Sequence, residues 1–239
     1  MENKDILLVT GASSDLGSSL IRETYKNYKK IWAHYNSSND IVGKLRDELG
    51  DVICPIQADF SSIESTISMI EAISGSVELP NHIVHFSAPK ARNLQFRKTT
   101  WSDFQVELET SLRSITMILQ AFLPNMAKEN YGRIVFMLSA YTIGLPPKYQ
   151  SIYVTTKYSL LGLMKSLSVE YADKGINVNA VSPEMIETKF LSDLPRLIIE
   201  QNAQNRPNGR NLSVEEVLPV IVELLSDENF VTGENIPLL

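Results

Sequence analysis

Cysteine is almost missing: Cys54 is the only one in 239 residues, so no intrachain disulfide can form and no thiolate cluster for zinc exists. It lies in the apolar run VICPIQ and is expected to be a buried core residue. Positive charge is the next shortage. Lys and Arg total 22 against 28 Asp and Glu, a formal net charge of -6, and no basic block occurs. Nucleic-acid backbones and acidic membranes need concentrated positive charge, so neither partner is expected. The histidines His34, His82 and His85 have no metal-ligand partners at a convincing spacing. All three read as structural, and no metal site is expected. Long hydrophobic runs are absent too: nothing approaches the roughly 18 apolar residues of a membrane span, and the opening MENKDILLVTG is neither a signal peptide nor a span. A cytoplasmic setting follows as the default. No internal repeat, low-complexity tract or composition break divides the chain.

What is present is ample apolar material. With 44% hydrophobic residues the chain can bury a substantial core as one large layered domain. Strand candidates are DILLVT (5–10), IWAHY (31–35), VICPIQ (52–57), NHIVHFS (81–87), GRIVFML (132–138), INVNAV (176–181) and a last short VTGENIPL (231–238). Short continuous apolar runs suit strands buried on both faces; the proline in the third hints at irregularity. Helical patterns fall between them at 18–29, 40–49, 61–74, 101–126, 151–171 and 214–225, the last introduced by Ser213 and Glu216 as a capping box. Strand and helix alternate throughout, which predicts an α/β fold with a parallel sheet covered on both faces. The stretch 101–126 reads as one unbroken amphipathic helix, with Phe104, Leu108, Leu112, Ile115, Leu119 and Phe122 along its apolar stripe. From 184 to 210 a proline-flanked insertion with a short helical patch is long enough to act as a lid on the substrate side.

Two stretches carry chemistry. TGASSDLG, residues 10–17, joins the first strand to the first helix, where backbone N–H groups and a helix N-terminus can cradle a pyrophosphate. It lacks the GxGxxG fingerprint and the Lys-Ser/Thr end of a nucleoside triphosphate loop, so a purely structural turn stays open beside phosphate binding. SAYTIGLPPKYQSIYVTTK, residues 139–157, supplies a hydroxyl, a phenol and an amine. Tyr153 and Lys157 are four apart and share a helix face. A lysine beside a phenol lowers the phenol pKa, and a seryl hydroxyl can donate to the same substrate oxygen. Such a set can move a proton to or from a carbonyl or alcohol oxygen. The polar segment 88–100 adds Lys90, Arg92, Arg97 and Lys98, either to greet an anionic group or as a solvated loop.

Taken together, TGASSDLG, Ser139, YVTTK, NAVSPEMIET at 179–188 and the TG at 232–233, in this order, resemble the short-chain dehydrogenases/reductases from about residue 6 to 238. The resemblance implies one Rossmann-type domain with a seven-stranded parallel sheet, a nicotinamide cofactor, and a homodimer or homotetramer built through the two long helices. It implies Tyr153 as general acid for ketone reduction, Lys157 as the group that lowers its pKa and holds the nicotinamide ribose, Ser139 as the group orienting the substrate oxygen, and Ser111 at the proton-relay position. Cofactor contacts are implied at Gly11, Ser13, Ser14, Asp15, Leu16 and Gly17, at Tyr35, Asn36 and Ser37, at Asp59 and Phe60, at Ser87 and Ala88, at Tyr153 and Lys157, and at Pro183, Ile186 and Thr188.

The chain departs from the family pattern at Asp15, Pro89, Ser111 and Glu184, where the family carries Gly, Gly, Asn and Gly. No carboxylate stands at the tip of the second strand, so NADPH is expected over NADH. The stretch from 132 to 188 is most similar to the 3-oxoacyl-[acyl-carrier-protein] reductases, which implies a thioester substrate and an acyl carrier protein as partner, met by Arg92, Arg97, Lys98 or Arg196. Two other readings stay open: a reductase of a small secondary-metabolite or sugar ketone, and a catalytically silent scaffold.

Overall fold

The computed structural model describes residues 4–90, 92–206 and 208–239. Seven strands form a single parallel sheet in the order β3-β2-β1-β4-β5-β6-β7. They are β1 (Ile6–Thr10), β2 (Lys30–Tyr35), β3 (Ile53–Gln57), β4 (His82–His85), β5 (Gly132–Met137), β6 (Ile176–Pro183) and β7 (Asn235–Leu238). The helices are α1 (Asp15–Thr24), α2 (Asn39–Leu49), α3 (Ile63–Ser74), α4 (Trp101–Leu108), α5 (Ser114–Glu129), α6 (Ser151–Glu170), α7 (Arg196–Asn205) and α8 (Val214–Leu225). One apolar layer joins α1, α2 and α8 to the sheet through Leu20, Ile21, Val42, Leu45, Val217 and Ile221. The other joins α3, α5 and α6 through Met69, Ile73, Ile118, Phe122, Leu160 and Met164. With both faces covered, β1, β4 and β5 are buried along their whole length, which is why they read as continuous apolar runs.

The strand order reverses beside β1, and in such sheets ligands bind beyond the carboxyl ends of the strands at that switch point. The glycine turn, the segment after β4 and Ser139 all sit there.

Local chemistry moves several expected boundaries. Pro55 interrupts nothing, because β3 is an edge strand. Cys54 is only half-buried, as one face of an edge strand is less covered than a core strand. The first helix starts at Asp15, three residues earlier than the apolar pattern suggests, since Ser14 caps it by accepting from Gly17 N at 3.0 Å. The helix expected over 101–126 is broken: α4 ends at Leu108, a π turn runs from Glu109 to Arg113, and α5 follows. Ser114 Oγ donates to Thr110 O at 2.6 Å across this turn. A widened turn leaves the three- and four-residue apolar spacing intact, so periodicity does not register it. The last strand is limited to the four residues of β7. The capping box of α8 is present, with Glu216 accepting from Ser213 N at 2.8 Å.

Candidate active site

The glycine turn is held from behind. Gly11 adopts φ of 72°, a conformation L side chains rarely take, and its N–H donates to His34 Nδ1 at 3.1 Å. His34 Nε2 donates in turn to Ala58 O at 3.0 Å, and its ring stacks on Phe60 with centroids 4.0 Å apart. Burial lowers the His34 pKa to about 4, so the ring is neutral and Nδ1 is free to accept. Gly17 is required by contact: a Cβ there would stand 2.4 Å from Gly11 O and 2.8 Å from Ala12 Cα. Within the turn Ser14 N donates to Gly11 O at 3.0 Å and Gly17 N to Ser14 Oγ, while Ser13, Asp15 and Leu16 line the cavity at the N-terminus of α1, a place that fits a pyrophosphate. Asp15 neither faces open solvent nor serves only as a helix charge. Its Oδ2 accepts from Lys189 N at 2.7 Å and ties the turn to the segment before α7.

One cavity of about 400 Å³ runs from this turn to the end of β5, within the usual size of a small-molecule site. Ser13, Ser14, Asp15, Leu16, Ala88, Ser139, Tyr153, Lys157, Pro183, Ile186 and Thr188 line it. Gly11 and Gly17 shape its wall from behind. Ser87 is also off the lining; its N–H reaches Thr10 Oγ1 at 3.4 Å. At the tip of β2 the lining is made by Ser38 and Ile41 rather than by Tyr35, Asn36 or Ser37. Asp59 is engaged locally, accepting from Ser61 N and Ser61 Oγ at 2.9 and 2.7 Å. The Phe60 ring is 3% exposed and packed against His34.

Sequence reasoning did not single out the apolar wall opposite the turn, formed by Met185, Phe190, Leu191, Leu194 and Ile198. Their only signal was the apolar content of the 184–210 insertion. Lys90, in the basic loop, is bound to Ser192 Oγ and Asp193 Oδ1 at 3.1 and 3.0 Å, and Arg92 pairs with Asp103 at 3.2 Å, so half of that loop's charge is already matched.

Ser139, Tyr153 and Lys157 converge at the deep end. Ser139 has extended backbone, its Oγ accepts from Tyr141 N at 3.3 Å, and it lines the cavity together with Tyr153. Tyr153 is walled edge-on by Tyr141 at 6.3 Å and by a tilted Phe190 ring at 6.4 Å between ring centroids. Burial raises the phenol well above its ordinary value, and Ser139 acts in the opposite sense. Desolvation therefore sets the direction, and the lowering expected from Lys157 is not among the effects on the phenol. Lys157 is itself pulled down to about 8 by burial, with Glu107 opposing. Its Nζ donates to Met137 O at 2.8 Å and lies 5.4 Å from the Tyr153 ring centroid. An ammonium has three donors, so two remain for other acceptors.

Ser111 lies in the π turn. Its Oγ is buried without a partner, and its carbonyl accepts from His85 Nε2 at 3.1 Å. Glu107, one turn earlier on α4, is buried beside Tyr153, and nothing in the sequence sets it apart from other helix carboxylates. Among the described residues no cluster could hold a metal ion, and no helix is long and apolar enough to cross a membrane.

A family model described as enoyl-(acyl carrier protein) reductase matches residues 11–238. The chain is 32% identical over 241 residues to the 3-oxoacyl-[acyl-carrier-protein] reductase FabG of Salmonella typhimurium, covering 97% of this chain and 94% of that one. It is 28% identical over 233 residues to an acetoacetyl-CoA reductase of Shinella zoogloeoides, covering 97% and 95%. In fold it is similar to a solved structure described as ElxO with NADP bound, with a TM-score of 0.85 at 24% identity over 98% of this chain and 97% of that one.

Proposed function

The chain belongs to the short-chain dehydrogenases/reductases, NAD(P)-dependent oxidoreductases, and from that membership we propose that it reduces the ketone of a 3-oxoacyl thioester, carried on an acyl carrier protein, to the 3-hydroxyacyl form with NADPH. The observation that carries this reading is one cavity lined at one end by the glycine turn and at the other by two hydroxyls, Ser139 and Tyr153. Two donors at one point suit a carbonyl oxygen that gains charge as its carbon is reduced.

NADPH, when bound, supplies the hydride. The N–H groups of Ser13, Asp15 and Leu16 at the N-terminus of α1 would hold its pyrophosphate, Thr188 its phosphate side, and the two spare Lys157 donors its nicotinamide ribose. Ser139 donates to the substrate oxygen and orients it, and Tyr153 gives that oxygen its phenolic proton. The apolar wall from Met185 to Ile198 would exclude water, so residues 184–210 act as the lid on an acyl chain. NADPH over NADH rests on the lack of a carboxylate among Tyr35, Asn36, Ser37 and Ser38, and a carrier protein would meet Arg97 and Lys98, which stand in no ion pair among the described residues. The relatives named as FabG and as an acetoacetyl-CoA reductase support the 3-oxoacyl thioester over a free ketone.

The test is a panel of NADPH and NADH against 3-oxoacyl thioesters on carrier protein and on coenzyme A, free ketones and a 2-enoyl thioester. The 3-oxoacyl carrier thioester should turn over fastest, and Tyr153→Phe should lose about 10²–10⁴-fold in rate while still binding NADPH. Absence of NADPH binding at millimolar concentration would sink the enzyme reading in favour of a scaffold. Preference for the 2-enoyl substrate would move the reaction to carbon–carbon double-bond reduction.

A further inference from the structure

Glu107 is 8% exposed, although carboxylates are almost never buried without a partner. Its helix, α4, packs against α6, and Glu107 shares with Tyr153 a second, small cavity whose other walls are Pro89, Arg92, Asp103, Val106 and Ile152. That cavity holds about 20 Å³, room for about one water. Its outer wall includes the Arg92–Asp103 ion pair at 3.2 Å, with the Arg92 side chain 64% exposed. Tyr153 lines both cavities, so the small space connects the exposed Arg92 side with the catalytic tyrosine.

The charged and titratable groups around Glu107 come from three elements. Tyr153 and Lys157 face it from α6, Arg92 from the loop before α4, and Asp103 from its own helix. Asp103 is occupied as the helix cap, accepting from Thr100 N at 2.9 Å, and by Arg92. His85, behind Lys157 on β4, is a neutral link: it accepts from Thr10 Oγ1 at 2.8 Å and donates to Ser111 O at 3.1 Å. The Ser111 carbonyl is thus already engaged, and Lys157 has bonded Met137 O.

We propose that Glu107 is the relay residue of this enzyme, returning a proton from solvent, through the small cavity, to Tyr153 and Lys157 after each turnover. The inference rests on the ketone-reductase reading above. In the first step the Tyr153 O–H bond breaks and its proton goes to the substrate oxygen, leaving phenolate. In the second the Glu107 carboxyl gives its proton to that phenolate, directly or through the one water the cavity admits, and becomes carboxylate. In the third the carboxylate takes a proton from solvent beside Arg92, which restores the starting state. Burial pushes the Glu107 carboxyl up to about 7, with Lys157 opposing, so near neutral pH it can both give and take a proton. Glu107 touches neither cofactor nor substrate; it acts through its neighbours.

The experiment compares wild type with Glu107→Gln, which keeps size and fills the same space. NADPH affinity should be unchanged. Turnover of the 3-oxoacyl thioester should fall about tenfold or more, the limb of the kcat–pH profile near 7 should flatten, and Glu107→Asp should recover part of both. Infrared titration of the unliganded protein gives a readout apart from activity. A protonated carboxyl band should titrate near pH 7, vanish in Glu107→Gln, and titrate at higher pH in Lys157→Met, because the opposing ammonium is gone. If wild type turns over and Glu107→Gln keeps its rate and profile, the relay is overturned while the reductase reading stands. If wild type reduces nothing on the panel, the reductase reading fails, and a carboxyl band indifferent to Lys157→Met overturns the coupling of Glu107 to the catalytic lysine as well.

Discussion

Asp15 stands where the family has glycine, a carboxylate at the first position of α1 and at the mouth of the anion cradle. Two effects oppose. A negative charge stabilises a helix N-terminus by about 0.3–1 kcal/mol, while it repels a pyrophosphate in the same place. The Asp15 Oδ2 bond to Lys189 N adds a reason to keep an acceptor there. Asp15→Asn preserves that acceptor and removes the charge, so calorimetric titration should show NADPH binding several-fold tighter, about 1 kcal/mol for a screened charge at close range. Asp15→Ala should also speed hydrogen exchange at the Lys189 amide. An Asn variant with wild-type affinity would mean that the carboxylate does not feel the phosphates.

Among the elements, α6 does two jobs. Its inner face carries Tyr153, Lys157, Leu160 and Met164 into the site and the core. Its outer face presents Tyr158, Gly162 and Val169, with Val169 81% exposed and open space where a Gly162 side chain would be. A glycine on an exposed helix stripe lets another helix approach closely. We propose that α5 and α6 pair with the same helices of a second copy, giving the homodimer or homotetramer expected of the chain. Val169→Asp should halve the mass found by light scattering, or reduce it further, with the monomer still folded by circular dichroism. A wild-type protein that is monomeric at micromolar concentration would refute the pairing.

For the whole molecule, the histidines set the acid limit. His34, His82 and His85 are buried and neutral, lowered from 6.5 to about 4, about 3 and about 3 by desolvation. His82 accepts from Tyr28 at 2.9 Å and donates to Tyr131 at 2.8 Å, and Tyr131 donates to Asp227, so the ring locks the lower end of the sheet. Depressed histidine pKa values give stability that is complete above the unfolded value of 6.5 and is lost as pH falls toward the folded values. Glu107, raised from 4.5 to about 7, acts in the other direction between those two values. Net uptake on unfolding is then about two protons between pH 6 and 5, a slope on the order of 3 kcal/mol per pH unit. Scanning calorimetry should find Tm falling by roughly 5–10 °C from pH 6 to 5. A constant Tm over that range would contradict the neutral buried rings.

Sequence by itself determined the sheet and its layers, because fully buried strands need unbroken apolar runs such as ILLV and IVFM, and covering helices need stripes at three- and four-residue spacing. It also determined the glycine turn and the Ser139, Tyr153 and Lys157 set, because those functions demand particular residue types at short fixed separations. Tertiary structure alone decided the rest. The π turn at Glu109–Arg113 leaves the apolar spacing untouched, so it emerges only from backbone hydrogen bonds. Phe60 was placed by its stacking on a histidine 26 residues earlier in the chain, and Asp15 by an amide 174 residues away. Glu107 reads in sequence as one more helix carboxylate. Its burial beside Tyr153, and the altered proton affinity that follows, come from the packing of α4 on α6, since desolvation is a property of what surrounds a group and not of the group itself.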